Sequence, residues 1–246
     1  MAGARTREVA RACVEHLRRE LPRIRLRGIR CVFVNGSYVR GDWLDGRSDL
    51  DIGMVTESGW ESGFAEVKRL ASEAIAGAIF AAHVDSGVDW NVIDRAALPR
   101  TTSQAVDSPY PYFNVFRFDL DAHCQILWGE DFREWLPPVP PPGELARRFI
   151  RLRSRRVSQL EDSALGRRRA LYAAYKAAVT LQLAHGQQTL DKFRTLDLFK
   201  SCVPSFPEKA RCVRVMADYV HGSDVVAESL HSYLNLMTGC ERALPG

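Results

Sequence analysis

The chain has 246 residues, 46% of them hydrophobic and 26% charged, with a formal net charge of +4; this balance fits a folded globular protein and excludes a disordered or low-complexity one. No apolar run approaches the roughly 20 residues needed to cross a bilayer, and the opening MAGARTREVARACVEHLRREL has no apolar secretion core, so a cytoplasmic protein without a membrane partner is expected. Cys13, Cys31, Cys124, Cys202, Cys212 and Cys240 are scattered without a CxxC pair, which speaks for free thiols over a zinc site or a disulfide framework.

In chain order, residues 4–20 predict a helix with Val9, Cys13, Leu17 and Leu21 on one face. The β-rich run Ile29–Val34 breaks off at Asn35-Gly36-Ser37, a strand-then-turn signal. A second strand is expected at Leu50–Val55. A helix over roughly 60–78 follows, carrying Phe64, Val67, Leu70, Ala71 and Ile75, and then a third strand at Gly87–Ile93. Helices on a small mixed sheet make an α/β (α+β) domain. Leu136–Gly143 holds five prolines, which favour a stiff extended connection. Beyond it, helical patterns over 144–162, 167–185, 192–201, 207–221 and 224–241 predict an all-α bundle. The expected organisation is a first domain over 1–136, a linker at 137–143 and a helical domain over 144–246.

The chemistry is most legible between Gly36 and Asp51. Gly36 allows a tight turn and close backbone approach to a ligand. The Ser37 hydroxyl and nearby free backbone N–H groups suit a phosphate oxygen. Asp49 and Asp51 flank Leu50 at a strand start, so period-two alternation sets both carboxylates on one face. Two hard oxygen donors fit Mg²⁺, which combines carboxylates with substrate phosphates. Asp89, inside an apolar strand where a bare charge would be costly, is the candidate third acid. A Gly-Ser turn alone is only a turn, and Ser-Asp-x-Asp alone can be a cap before a surface strand; their combination with Asp89 points to catalysis. Nine arginines lie between Arg147 and Arg169 against only Glu161 and Asp162. Such a block can follow a nucleic-acid backbone or meet triphosphate oxygens, but a solvated helix face is the simpler reading and a nucleic-acid partner is not expected.

The run GSYVRGDWLDGRSDLDIGMV resembles the signature of the DNA polymerase β-like nucleotidyltransferase superfamily: a Gly-Ser turn, a spacer, Asp-x-Asp, and a later acid. Eleven residues separate Ser37 from Asp49, one more than is usual there, with Asp45-Gly46 as a turn that can absorb the extra one. Gln125–Phe132 and the helical second half are similar to the aminoglycoside and kanamycin nucleotidyltransferase branch. The resemblance implies that Asp49, Asp51 and Asp89 hold two Mg²⁺ ions, with Asp89 alternatively the base for an acceptor hydroxyl. It further implies ATP or another nucleoside triphosphate as co-substrate, met by Gly36, Ser37 and one of two lysines, Lys176 or Lys192; Arg40 and Arg47, which bracket the loop, are further candidates for phosphate or substrate. The implied reaction moves a nucleoside monophosphate, AMP first, onto a small hydroxylated acceptor such as an aminoglycoside-like antibiotic, with release of pyrophosphate. Glu57, Glu61, Asp85, Asp107 and Asp119 are candidates for an acidic acceptor site. Open alternatives are an antitoxin-type enzyme that adenylylates a protein, an RNA-directed transferase and a non-catalytic nucleotide-binding module; a homodimer is also open.

Overall fold

The computed structural model describes residues 6–45, 48–75, 88–221 and 228–245. The chain divides into two compact units: 1–101 with 120–137, and 102–119 with 138–246. Each unit has its own hydrophobic core.

The first unit is built on a four-stranded sheet in the order β3-β2-β1-β4. The strands are β1 (Ile29–Asn35), β2 (Leu50–Thr56), β3 (Val88–Asp94) and β4 (Gln125–Gly129). β1 runs antiparallel to both β2 and β4, whereas β2 and β3 are parallel, so the sheet is mixed as expected. Parallel strands need a long crossover, and β2 leads into α3 (Glu61–Ile75) on the way to β3. α1 (Thr6–Glu20) turns Ala10, Cys13, Val14 and Leu17 inward, and α3 turns Val67, Leu70, Ala71 and Ile75 inward. These residues form one core with Val32, Val34, Leu50, Ile52, Met54 and Val88. Alternation along the strands therefore leaves residues 31, 33, 35, 51, 53, 89 and 91 on the opposite face. That face is tightly packed in its middle: the Phe33 ring lies across Gly53, where no Cβ could fit, and its centroid is 4.7 Å from that of Phe132.

β4 was not among the expected strands, nor were the short helices α4 (Thr102–Asp107) and α5 (Arg117–Ala122). β4 is an edge strand with only Leu127 buried, too little alternation to register as a strand pattern. A single turn and a half of helix likewise shows no sustained period.

In the second unit, α6 (Pro142–Val157), α8 (Lys192–Cys202), α9 (Lys209–His221) and α10 (Leu230–Arg242) pack around α7 (Ala164–Ala184). α7 is buried almost all round from Ala170 to Leu183, as befits the central helix of a bundle. α6 starts inside the proline segment: Pro142 is its first residue, where a missing N–H costs nothing, and Pro141 caps it in an extended conformation. The stretch Thr102–Asp119, which the proline signal had grouped with the first half, clusters with the helices, and Val115 and Phe116 are part of their core. No helix among the described residues is long and apolar enough to cross a membrane.

Candidate active site

The Gly-Ser turn follows β1 directly. Gly36 has φ +75° and ψ −155°, a conformation favoured by glycine. Its missing side chain has a second use, because a Cβ there would collide with the Asp51 carboxylate, whose Cγ would be 2.9 Å away. The acid on β2 is thus seated directly on the turn. Ser37 opens the four-residue helix α2 (Ser37–Arg40), which closes with Arg40 N–H on the Gly36 carbonyl and Gly41 N–H on the Ser37 carbonyl, both at 3.1 Å. Ser37 is 5% exposed.

Strand register completes the arrangement. Asn35 of β1 is paired with Asp51 of β2, and Asp51 with Asp89 of β3. Cross-strand partners share a face, so Asn35, Asp51 and Asp89 form one row across three strands. Leu50 and Ile52 point into the core on the other side. Asp49 stands just before β2 and is half-buried. Asp89 corrects one expectation. It is exposed on β3, an edge strand, so burial cost does not explain its presence; its register with Asp51 does the arguing instead.

The loop between turn and Asp-x-Asp is pinned from several sides. Ser48 N–H donates to the Leu44 carbonyl at 2.8 Å, and the Ser48 hydroxyl accepts from Leu44 N–H at 2.9 Å. Asp45 accepts from the Thr6 hydroxyl at the start of α1, and Trp43 Nε1–H donates to the same hydroxyl oxygen at 3.2 Å. Arg40, expected near phosphate, has its side chain only 6% exposed and pairs at 3.3 Å with the fully buried Asp42. A guanidinium placed so fixes the loop. Arg47 and Asp85 lie outside the described residues.

Lys176 and Lys192 both belong to the second unit and are both 7% exposed. The Lys176 ammonium lies over Phe116 and Tyr172, at 4.8 and 5.7 Å from the ring centroids. Arg153 lies over Phe149 and Tyr172, at 5.1 and 5.9 Å, and burial depresses its pKa. Lys192 is the first residue of α8; Asp191 caps that helix, its carboxylate accepting from Phe193 and Arg194 N–H at 2.9 and 3.0 Å. Two of the acids considered for acceptor binding are engaged locally. Glu57 pairs with Arg95 at 2.6 Å and Arg30 at 2.8 Å, and these hydrogen bonds hold its carboxyl below the usual range. Asp107 pairs with Arg148. Asp119 is buried, and Glu61 is exposed at the start of α3. Within the arginine block, Arg151 and Arg167 pair with Glu241 and Asp162.

No group of three His, Cys, Asp or Glu among the described residues is arranged to hold a metal ion. Asp51 and Asp89 are register partners on neighbouring strands, and Asp49 lies two residues before Asp51, just ahead of β2.

Residues 14–106, which span β1, the turn, β2, α3 and β3, match the family model of the nucleotidyltransferase domain. Over those residues the chain is similar to a nucleotidyltransferase domain, the domain of a transferase-type enzyme. The whole chain is similar in fold to spectinomycin adenyltransferase AAD(9) from Enterococcus faecialis, solved with ATP and spectinomycin: TM-score 0.54, 11% identity, 94% of this chain and 98% of that one covered. That likeness extends the shared fold past the nucleotidyltransferase domain into the helical unit. No curated protein matches the chain.

One residue of the row escaped the sequence. Asn35 is only 1% exposed, and both polar atoms of its amide lack a hydrogen-bond partner among the described residues. An asparagine before glycine reads as a turn former, yet here it is the last residue of β1. The signal that could have found it is its spacing: it directly precedes the Gly-Ser pair, so any strand pairing that faces the turn toward the Asp-x-Asp strand also faces Asn35 toward an aspartate.

Proposed function

We propose that the chain transfers a nucleoside monophosphate from a nucleoside triphosphate, ATP first, to a hydroxyl of a small molecule, releasing pyrophosphate. The observation that carries this reading is the Asp51 carboxylate, seated on the Gly36 turn and in register with Asp89. A turn that accepts phosphate and a carboxylate that accepts a cation are thereby held in contact.

The donor set fits Mg²⁺. Asp51 and Asp89 are hard oxygen donors, with Asp49 beside them, and Mg²⁺ needs few protein ligands because it keeps waters and binds substrate phosphates. When bound, the ion would supply charge neutralisation at the phosphates and orientation of the reacting oxygens. The chain's own residues do the rest. Gly36 and Ser37 offer backbone N–H groups and a hydroxyl to phosphate oxygens. Asp51 and Asp49 would hold the ion beside the turn. Asp89, exposed and adjacent, accepts the proton of the acceptor hydroxyl as its oxygen attacks the α-phosphorus and the bond to the pyrophosphate oxygen breaks. Arg40 and Arg47, which bracket the loop, and either Lys176 or Lys192 are further candidates for triphosphate contacts. Of these, Arg40 is the least suited, given its pairing with Asp42.

The structural neighbour's ligands make ATP the first nucleotide and spectinomycin the first acceptor to try. The test is incubation with Mg²⁺, each labelled triphosphate and a panel of hydroxylated antibiotics and sugars, with pyrophosphate release as the readout. Asp51→Asn and Asp89→Asn are expected to lower turnover by about 10²-fold or more. No release with any acceptor would sink the small-molecule reading, and label appearing on a protein band would replace it with protein adenylylation.

A further inference from the structure

We propose that Asn35 is a further ligand-binding residue of this site, its amide hydrogen-bonding the hydrated cation and triphosphate that Asp51 holds. The proposal rests on the nucleotidyl-transfer reading and adds to it a residue that neither the motif nor the match to a family identifies.

Three observations converge. First, Asn35 lies in the Asn35–Asp51–Asp89 row, so its side chain shares the face of both carboxylates. Second, it directly precedes Gly36, the residue on which the Asp51 carboxylate is seated. Third, Asn35 is 1% exposed, with Nδ2 and Oδ1 both unpartnered among the described residues. A buried amide normally finds partners, because leaving its donors and acceptor unmet forfeits hydration with no return. An apolar side chain would fill the position more stably, as Val32 and Val34 do earlier in the same strand on the core side. An amide there is explained by a partner that arrives with the ligand. Its chemistry matches what Asp51 would hold: Oδ1 accepts from a water on a cation, and Nδ2–H donates to a phosphate oxygen. Carboxylates cannot donate, so the amide contributes the one polarity the two aspartates lack.

The test separates a binding role from a structural one by reading stability and affinity in the same proteins. Wild type, Asn35→Leu (a near-isostere without polar atoms) and Asn35→Asp are compared by thermal unfolding in three conditions: no ligand, Mg²⁺ alone, and Mg²⁺ with a non-hydrolysable ATP analogue. Asn35→Leu is expected to melt at or above the wild-type temperature without ligand while binding the analogue roughly tenfold more weakly. Asn35→Asp is expected to gain more from Mg²⁺ alone than wild type does, since a third carboxylate then faces the cation. A lower ligand-free melting temperature for Asn35→Leu together with wild-type affinity for the analogue would make the amide structural and overturn the proposal. If the leucine variant does not fold, an Mg²⁺ response of Asn35→Asp equal to that of wild type overturns it alone. A wild type that binds no analogue would instead overturn the nucleotidyl-transfer reading on which the proposal stands.

Discussion

Gly36 is the residue where backbone and chemistry cannot be separated. Its φ of +75° strains any other residue, and the space above its Cα belongs to the Asp51 carboxylate. Gly36→Ala therefore carries two penalties at once: strain on the order of 1–3 kcal/mol and displacement of a proposed metal ligand. The expected outcome is a lowered melting temperature together with loss of Mg²⁺-dependent nucleotide binding, read by calorimetry and by a binding titration. A variant that binds nucleotide normally would detach the turn from the ligand. Gly36, Ser37, Asp49 and Asp51 were legible in the sequence because the spacing of a turn and an alternating pair is local. Asp89 was legible as an acid but for the wrong reason, since its exposure on an edge strand depends on sheet order. Asn35 was masked by its reading as a turn former, because its place beside Asp51 shows only when β1 and β2 pair.

At the scale of elements, the helix and strand patterns of the first unit survived because each long element has one apolar face, as α1 and α3 show. What was missed is what lacks a face: β4, with a single buried residue, and the six-residue helices. Three segments of the sheet unit are also joined by one carboxylate. Glu57 follows β2, Arg30 lies on β1, and Arg95 follows β3 and stacks at 4.9 Å on Trp135. Hydrogen bonds first from Arg95 and then from Arg30 lower its pKa from the usual 4.5. A depressed carboxylate contributes its stability above the unfolded pKa and loses it as pH falls through the folded one. Glu57→Gln should thus melt below wild type at neutral pH, by a few degrees at most because the pairs are partly exposed. The two should converge well below pH 4.5. Thermal melts from neutral to acidic pH check this, and a gap that widens on acidification would contradict it.

Across the whole molecule, the six cysteines report on both cores. Cys13, Cys31 and Cys124 lie in the first unit and Cys202, Cys212 and Cys240 in the second; all are free, and only Cys202 is not buried. Burial pushes the thiols of Cys13, Cys31 and Cys124 up to about 12, so little thiolate exists there near neutral pH. A native sample treated with an alkylating reagent should label Cys202 alone, and peptide mass spectrometry would identify it; all six should label in denaturant. Following the others through a urea series would then time the opening of each core separately.

The two units are interleaved along the chain. The chain leaves the first at residue 101, joins the second until 119, returns until 137 and leaves again. β4, the last strand of the sheet, therefore emerges after a segment whose Val115 and Phe116 have no core to enter until α6 and α7 exist. During synthesis the sheet can close while that excursion still hangs outside it, apolar side chains uncovered. A fragment cut at the proline segment would keep every strand and yet display this greasy loop to its neighbours, so it should clump where the full chain stays dispersed. Excising 102–119 and bridging the gap with a short polar link is the cut the fold would tolerate better.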